Sequence, residues 1–263
     1  MEALRLEAVE VVVAGASAPR RILGPIDLAV QAGERWALLG PNGSGKTTLL
    51  SVAGAWRHPS AGHAAVLGET LGRTDVRRLR TRIGHVGHTV TERLRPGLVC
   101  LEAVLTGRAS GLETWFQPFT HEDRGEARAM LAEVGCAHVA DRALATCSQG
   151  ERARVLLARA RFGRRELLLF DEPAAGLDLP GREALLAAME STARAEGTTT
   201  TLLATHHLEE LPPSTTHAAL LRAGAVVTAG PADEVLVDDA LSACFGLAVS
   251  VARRAGRWSA VAR

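Results

Sequence analysis

Lysine is almost missing from this chain of 263 residues. Of its 30 basic residues only Lys46 is a lysine, and tyrosine is absent altogether. Arginine at nearly every basic position marks a genome rich in G and C, because Lys and Tyr codons are A/T-rich. A lysine kept against that drift points to chemistry that needs an ammonium. Long apolar runs are missing too. No stretch approaches the roughly 18 consecutive apolar residues of a membrane-spanning helix. The opening MEALRLEAVE carries acidic residues where a secretory leader has basic ones and an apolar stretch. Cysteine is sparse: Cys100, Cys136, Cys147 and Cys244 show no CxxC spacing, which argues against a zinc ribbon or a disulfide framework and fits reduced thiols in a cytosol. The net charge is +1, so the bulk charge does not call for nucleic acid. Low-complexity tracts and internal repeats are lacking as well.

What is present is an ordinary globular balance, 47% apolar and 22% charged, in a length that suits one large domain or two small ones. Residues 4–13 and 26–31 read as strands, and Gly15 to Pro25 between them as a loop. Arg35 to Leu39 reads as a short buried strand, Lys46 to Trp56 as a helix. Between 98 and 135 the apolar spacing turns helical. A helix over Gly150–Phe162 precedes the apolar run Leu167–Phe170, which has the look of a strand in a parallel sheet. A helix at 181–195, a strand at 199–204 and a final hairpin at 218–229 complete the pattern. Strands alternating with helices predict an α/β sheet, with a helical insertion from about 90 to 160.

Two segments carry the chemistry. Gly40-Pro41-Asn42-Gly43-Ser44-Gly45-Lys46-Thr47, followed by Thr48, fits G-x4-G-K-[ST] between strand and helix. The glycines let backbone N–H groups turn inward around phosphate oxygens, and the helix N-terminus points at the same anion. Lys46 then reaches the β- and γ-phosphates and Thr47 offers a hydroxyl to Mg²⁺. Downstream, LLLFDEP ends a buried strand in Asp171, whose carboxylate is expensive there unless it meets a cation; the Mg²⁺ shell supplies one. Glu172 beside it is the candidate base that polarises the attacking water.

Cys147-Ser148-Gln149-Gly150-Glu151, ahead of a long Arg/Ala/Leu helix, gives this chain its family resemblance. With both phosphate motifs in order, it resembles the ATP-binding subunits of ABC transporters, whose signature is usually LSGGQ; Ser148 and Gly150 match, while Cys147, Gln149 and Glu151 depart from it. The resemblance implies a P-loop NTPase with a RecA-like core, an N-terminal antiparallel β subdomain and a helical signature subdomain. Residues 1–263 then form one ATPase domain: a nucleotide-binding core over 1–90 and 160–230, a helical subdomain over 91–159 and a short C-terminal extension over 231–263. It also implies that the signature residues Ser148, Gln149, Gly150 and Glu151 meet the γ-phosphate of ATP held by a second copy. Asp178, in Ala174-Ala175-Gly176-Leu177-Asp178, resembles the D-loop acid at that dimer face. His206 aligns with the γ-phosphate-sensing histidine, and His207 stands where many relatives have Asp. The closing FGLAVSVARRAGRW resembles the short tail of iron–siderophore-type import ATPases. The THH-EE-PP-TH phrasing at 205–217 resembles stand-alone molybdenum-linked relatives.

Two positions break the pattern. His88 stands where the family has its Q-loop Gln; either it takes over that part, with a pH-dependent charge, or it is a loop residue and a neighbour does the coupling. The first 35 residues hold no aromatic to stack on adenine, Val13 lies near the expected spot, and Arg20 or Arg21 either stacks instead or belongs to a solvated loop. The arginines at 77, 78, 80 and 82 read as a solvated helix face, because no aromatics interleave with them. Trp115, Phe116 and Phe119 are either local core or part of a groove for a membrane partner. The leading expectation is an ATP-hydrolysing motor subunit, with ATP and Mg²⁺ as cofactors. Its partners are a second copy, separate transmembrane permease subunits and, for import, a solute-binding protein, with no nucleic acid. It would be a cytoplasmic protein peripheral on the inner face of the cell membrane. A soluble ABC-type ATPase acting on DNA or ribosomes competes with this reading, but the stretch from His88 to Cys147 is too short for a coiled-coil insertion and only one P-loop exists. A low-turnover regulatory ATP-binding module is the third reading, opposed by Glu172 and His206.

Overall fold

The computed structural model describes residues 1–15, 18–87, 90, 94–109, 119–163, 165–195 and 197–263. His88, Trp115 and Phe116 lie outside them. Strands β1 (Glu2–Val13) and β2 (Arg20–Gln31) open the chain, then β3 (Arg35–Leu39), helix α1 (Lys46–Ala53), β4 (Ala61–Val66), β5 (Glu69–Thr70), α2 (Val76–Arg80) and β6 (Ile83–Gly87). Helices α3 (Cys100–Leu105), α4 (His121–Glu133) and α5 (Gln149–Arg161) come next. After them run β7 (Leu167–Asp171), α6 (Leu179–Ala195), β8 (Thr200–Thr205), β9 (His217–Arg222) and β10 (Ala225–Pro231). Two short helices, α7 (Ala232–Val235) and α8 (Asp238–Phe245), lead to a closing hairpin, β11 (Val249–Arg254) and β12 (Arg257–Ala262).

Six strands form the central sheet in the order β10-β9-β3-β8-β7-β6. From β9 to β6 it is parallel, and β10 pairs antiparallel at one edge. Successive residues of its strands feed opposite faces. Leu38 and Leu169 pack with Leu4, Ile26, Leu49 and Leu50 beneath the antiparallel sheet β2-β1-β4-β5. Leu39 and Phe170 pack with Leu156 and Leu185 of α5 and α6 on the other side. A sheet covered on both faces explains why β7 reads LLLF without alternation.

The expected loop over Gly15–Pro25 is corrected: β2 already begins at Arg20. Gly24-Pro25 reads as a turn signal, but it sits at a register shift, with Val11 opposite Leu23 and Val9 opposite Ile26. β2 lies at the sheet edge, where a residue without an N–H and a bulge are both tolerated. The hairpin over 218–229 forms, as β9 and β10, but it is not the final one. The sequence VSVARR-AG-RWSAVA folds as β11–β12 around Ala255 and Gly256, whose φ values of 47° and 78° make a two-residue turn twisted to match its strands. The turn between β9 and β10 repeats the pattern with Ala223 and Gly224.

The arginine run divides. Arg77 and Arg78 are exposed, as a solvated face requires. Arg80 instead lies over the Trp56 ring, 4.1 Å from its centroid, and donates to the Ala55 carbonyl, while Arg82 pairs with Glu166 at 2.6 Å. Phe119 packs against the helical core, as the local-core reading expects.

Candidate functional site

Parallel pairing brings three strand ends together. Leu39 of β3 pairs with Thr205 of β8, and Asp171 of β7 pairs with Ala204 of β8 and Gly87 of β6. The loop after β3, the acids after β7 and the histidines after β8 therefore meet at the carboxyl edge, where open α/β sheets bind their ligands.

Residues 40–45 fold as a tight cradle ahead of α1, and 46–48 form its first turn. Gly40 has φ +154°, and a Cβ there would lie 2.0 Å from the Leu221 carbonyl oxygen, so no other residue fits. Ser44 is buried, and its Oγ has no hydrogen-bond partner among the described residues. Asn42, Gly43 and Thr47 are exposed, leaving the mouth of the loop open. Lys46 is 5% exposed; its Nζ donates to the carbonyls of Gly40 (2.8 Å) and Pro41 (3.2 Å) and lies 4.0 Å from Glu172 Oε1. Burial pushes the Lys46 ammonium below its ordinary range, opposed by the charges of Glu172 and Asp171.

Thr47 Oγ1 donates to Asp171 Oδ1 at 2.9 Å. Burial pushes the Asp171 carboxyl upward, and the Thr47 hydrogen bond opposes that shift. Two hard oxygen ligands side by side, one of them a half-buried acid whose carboxylate desolvation disfavours, fit Mg²⁺, which keeps most of its shell as water and phosphate oxygen. Glu172 has φ +47°. For a residue with a Cβ this left-handed conformation costs about 1–2 kcal/mol. The Glu172 N–H is held by the Ala204 carbonyl at 2.9 Å, and its Oε1 lies 3.1 Å from His206 Nδ1. Strain of this kind gathers where a side chain must be aimed. His207 tilts against His206, with ring centroids 4.0 Å apart.

The signature segment is built as a helix start. Ser148 Oγ accepts from Glu151 N (3.2 Å) and Glu151 Oε2 accepts from Ser148 N (2.8 Å), a reciprocal cap on α5. That cap, with His138 at 2.9 Å, draws the Glu151 carboxyl down to about 2. Ser148 and Gln149 are exposed. Gly150 faces the start of α6: a Cβ on it would stand 3.3 Å from Gly181 Cα. Asp178 Oδ1 accepts from Gly181 N at 2.9 Å. Among the described residues, no hydrogen bond or ion pair of 147–151 reaches 40–48.

The expected residues thus form two groups. One, of 40–48 with Asp171, Glu172 and His206, converges on the sheet edge. The other, of 148–151 with Asp178, gathers where α5 and α6 begin. Val13 is half-buried opposite Arg20, and Arg21 lies 3.6 Å from Glu10. Sequence reasoning missed Gly224, whose N–H donates to the Ser44 carbonyl at 3.0 Å; its only signal is the Ala-Gly of a tight hairpin turn.

Residues 23–175 match the family described as ABC transporter. An uncharacterized ABC transporter ATP-binding protein of Bacillus subtilis, YlmA, is 38% identical over 88% of this chain and 87% of its own length. The hemin import ATP-binding protein HmuV of Nocardia farcinica is 36% identical over 90% of this chain and 80% of its own. The fold superposes on cbiO1 of Clostridium perfringens, part of the ABC transporter complex cbiONQ, with a TM-score of 0.76 over 91% of this chain and 92% of that one, at 23% identity. The chain belongs to the ABC transporter family, as an ATP-binding subunit and ATPase.

Proposed function

We propose that two copies of this chain close head-to-tail over two ATP molecules and drive a separate transmembrane permease, in the direction of import. The observation that carries this reading is the cluster of Lys46, Glu172 and His206 beside the Thr47–Asp171 pair. A site that could only bind ATP has no need of a strained carboxylate hydrogen-bonded to a histidine.

Lys46 exchanges the carbonyls of Gly40 and Pro41 for the β- and γ-phosphates, and the amides of 42–48 cradle the same oxygens. Thr47 and Asp171 would hold Mg²⁺, which supplies charge neutralisation on the phosphates when bound. Glu172 takes up the hydrogen-bonded proton of the attacking water, and His206, whose Nδ1 lies 3.1 Å from that carboxylate, orients it and meets the γ-phosphate. Ser148 and the N-terminus of α5 stand apart from the P-loop of their own chain, so the phosphate they serve belongs to the partner copy. Gly150 lies close to Gly181 and Gly181 to Asp178, which supports a role for Asp178 at the same face. In this reading 1–90 and 160–230 act as the nucleotide-binding core, 91–159 as the helical unit that turns against it, and 231–263 as an extension. The named role of the hemin import relative supports import. Import would pair the permease with a solute-binding protein outside the membrane and with this chain on its cytoplasmic face.

Replacing Glu172 by Gln tests the assignment. The account expects loss of turnover with ATP binding retained, and an ATP-dependent dimer visible by sedimentation. Turnover at the wild-type rate would show that the base is elsewhere.

A further inference from the structure

The hairpin β11–β12 lies beyond the residues matched to the family. Strand β12 packs on the single helical turn 208–210 that follows the two histidines. Arg257, at the start of that strand, spans two elements. Its Nη1 and Nη2 donate to Glu183 Oε2 and Oε1 at 2.8 and 3.2 Å, and Nη2 donates again to the Glu209 carbonyl at 2.6 Å. Ala260 N reaches Glu209 Oε1 from the same strand at 3.3 Å.

One partner leads to the helix behind Asp178 and the other to the turn that carries His206. Glu183 is in the first turns of α6, whose start is set by Asp178 accepting from Gly181 N. Glu209 belongs to a closed turn. Thr205 Oγ1 donates to Glu210 and accepts from His207 N, and Glu210 N donates to the His207 carbonyl. Fixing Glu209 therefore fixes the turn that carries His206. Half-exposed ion pairs add little to stability. A planar fork serving three acceptors on two elements gives geometry instead, and a lysine cannot reproduce it.

The geometry points to Arg257 as a positioning residue for hydrolysis: through Glu209 and Glu183 it holds His206 in register with Glu172 and ties that turn to the helix behind Asp178. The inference rests on the proposed role of His206. Without the clamp the chain binds ATP as before, but His206 visits the productive position less often.

The test is steady-state hydrolysis against ATP concentration on the full chain for R257Q, E183A, their double variant, R253Q and H206A. R257Q should lower kcat about tenfold with KM for ATP within about twofold, the mark of an interaction used in the reaction rather than in binding. E183A should lower kcat as well, and the double variant should lose little more than the worse single one, because the residues act as one unit. Should R257Q fail to fold, E183A reports on the same clamp with the hairpin's arginine in place. R253Q should keep the wild-type kcat; Arg253 belongs to the same hairpin, pairs with Asp233 and covers Trp258, so it reads hairpin packing alone. Wild-type kcat in R257Q and E183A overturns the inference, as does an equal loss in R253Q, or a raised KM at unchanged kcat. H206A with full turnover would instead remove the reading of His206 beneath it.

Discussion

Lys46 shows how much one residue decides. Its Nζ is held by two backbone carbonyls of its own loop and faces two carboxylates, so the positive charge is in place before any phosphate arrives. A compact ammonium fits among those carbonyls; a guanidinium is planar and too wide. In a chain with a single lysine this is directly measurable. Acylation with a lysine-selective reagent should label the N-terminal amine quickly and Lys46 slowly, because Lys46 is 5% exposed, and ATP should abolish the second reaction. Labelling of Lys46 indifferent to ATP would contradict its place on the phosphates. Base recognition is the converse case. The first 35 residues hold no aromatic ring to stack on adenine, and stacking is worth about 1–3 kcal/mol. ATP and GTP should therefore bind with similar affinity in competition titrations; a preference for ATP on the order of a hundredfold would show a stacking partner elsewhere.

Helix α5 shows what an element contributes. Its reciprocal cap by Ser148 and Glu151 satisfies end groups of the helix while leaving the Ser148 face exposed. Losing a whole cap costs about 1 kcal/mol, and Glu151→Ala removes the Glu151 half of this one, so it should lower unfolding stability by up to about that much at neutral pH in urea titrations. The sign with pH follows from the depressed carboxyl. The ordinary value of 4.5 falls to about 2 in the folded chain, so the cap's contribution is complete above the ordinary value and fades as pH falls toward 2. The gap between wild type and variant should close over that window; a gap constant with pH would contradict the cap. Just before this helix, the Cys147 sulfur lies 3.4 Å from that of Cys100, and burial, then the Cys147 contact, pushes the Cys100 thiol up to about 12. Alkylation should consequently leave Cys100 untouched in the native chain and modify it in urea. Rapid native labelling at Cys100 would overturn the burial argument.

At the scale of the whole molecule, the parts legible in the sequence are those whose reasons are local. The P-loop is spelled by residues that touch one another, and β7 by an apolar run ending in two acids. The start of β2 was hidden because Gly24-Pro25 carries a turn's signals into an edge strand. The closing hairpin was hidden because only Ala255-Gly256 marks it. Arg257 was invisible for another reason: its partners lie 74 and 48 positions away, and nothing in a single sequence joins them. Among the described residues no helix is long and apolar enough to cross a membrane, and the two groups of site residues do not meet within one copy. The separation of the two groups is what the proposed head-to-tail pair would explain. The most direct measurement of that claim mixes two inactive variants, Lys46→Ala and Ser148→Arg. In a head-to-tail pair of one of each, one site keeps an intact P-loop from the second chain and an intact Ser148 from the first. The account predicts that the mixture regains ATP hydrolysis that neither variant shows alone; a mixture as inactive as its components would contradict it.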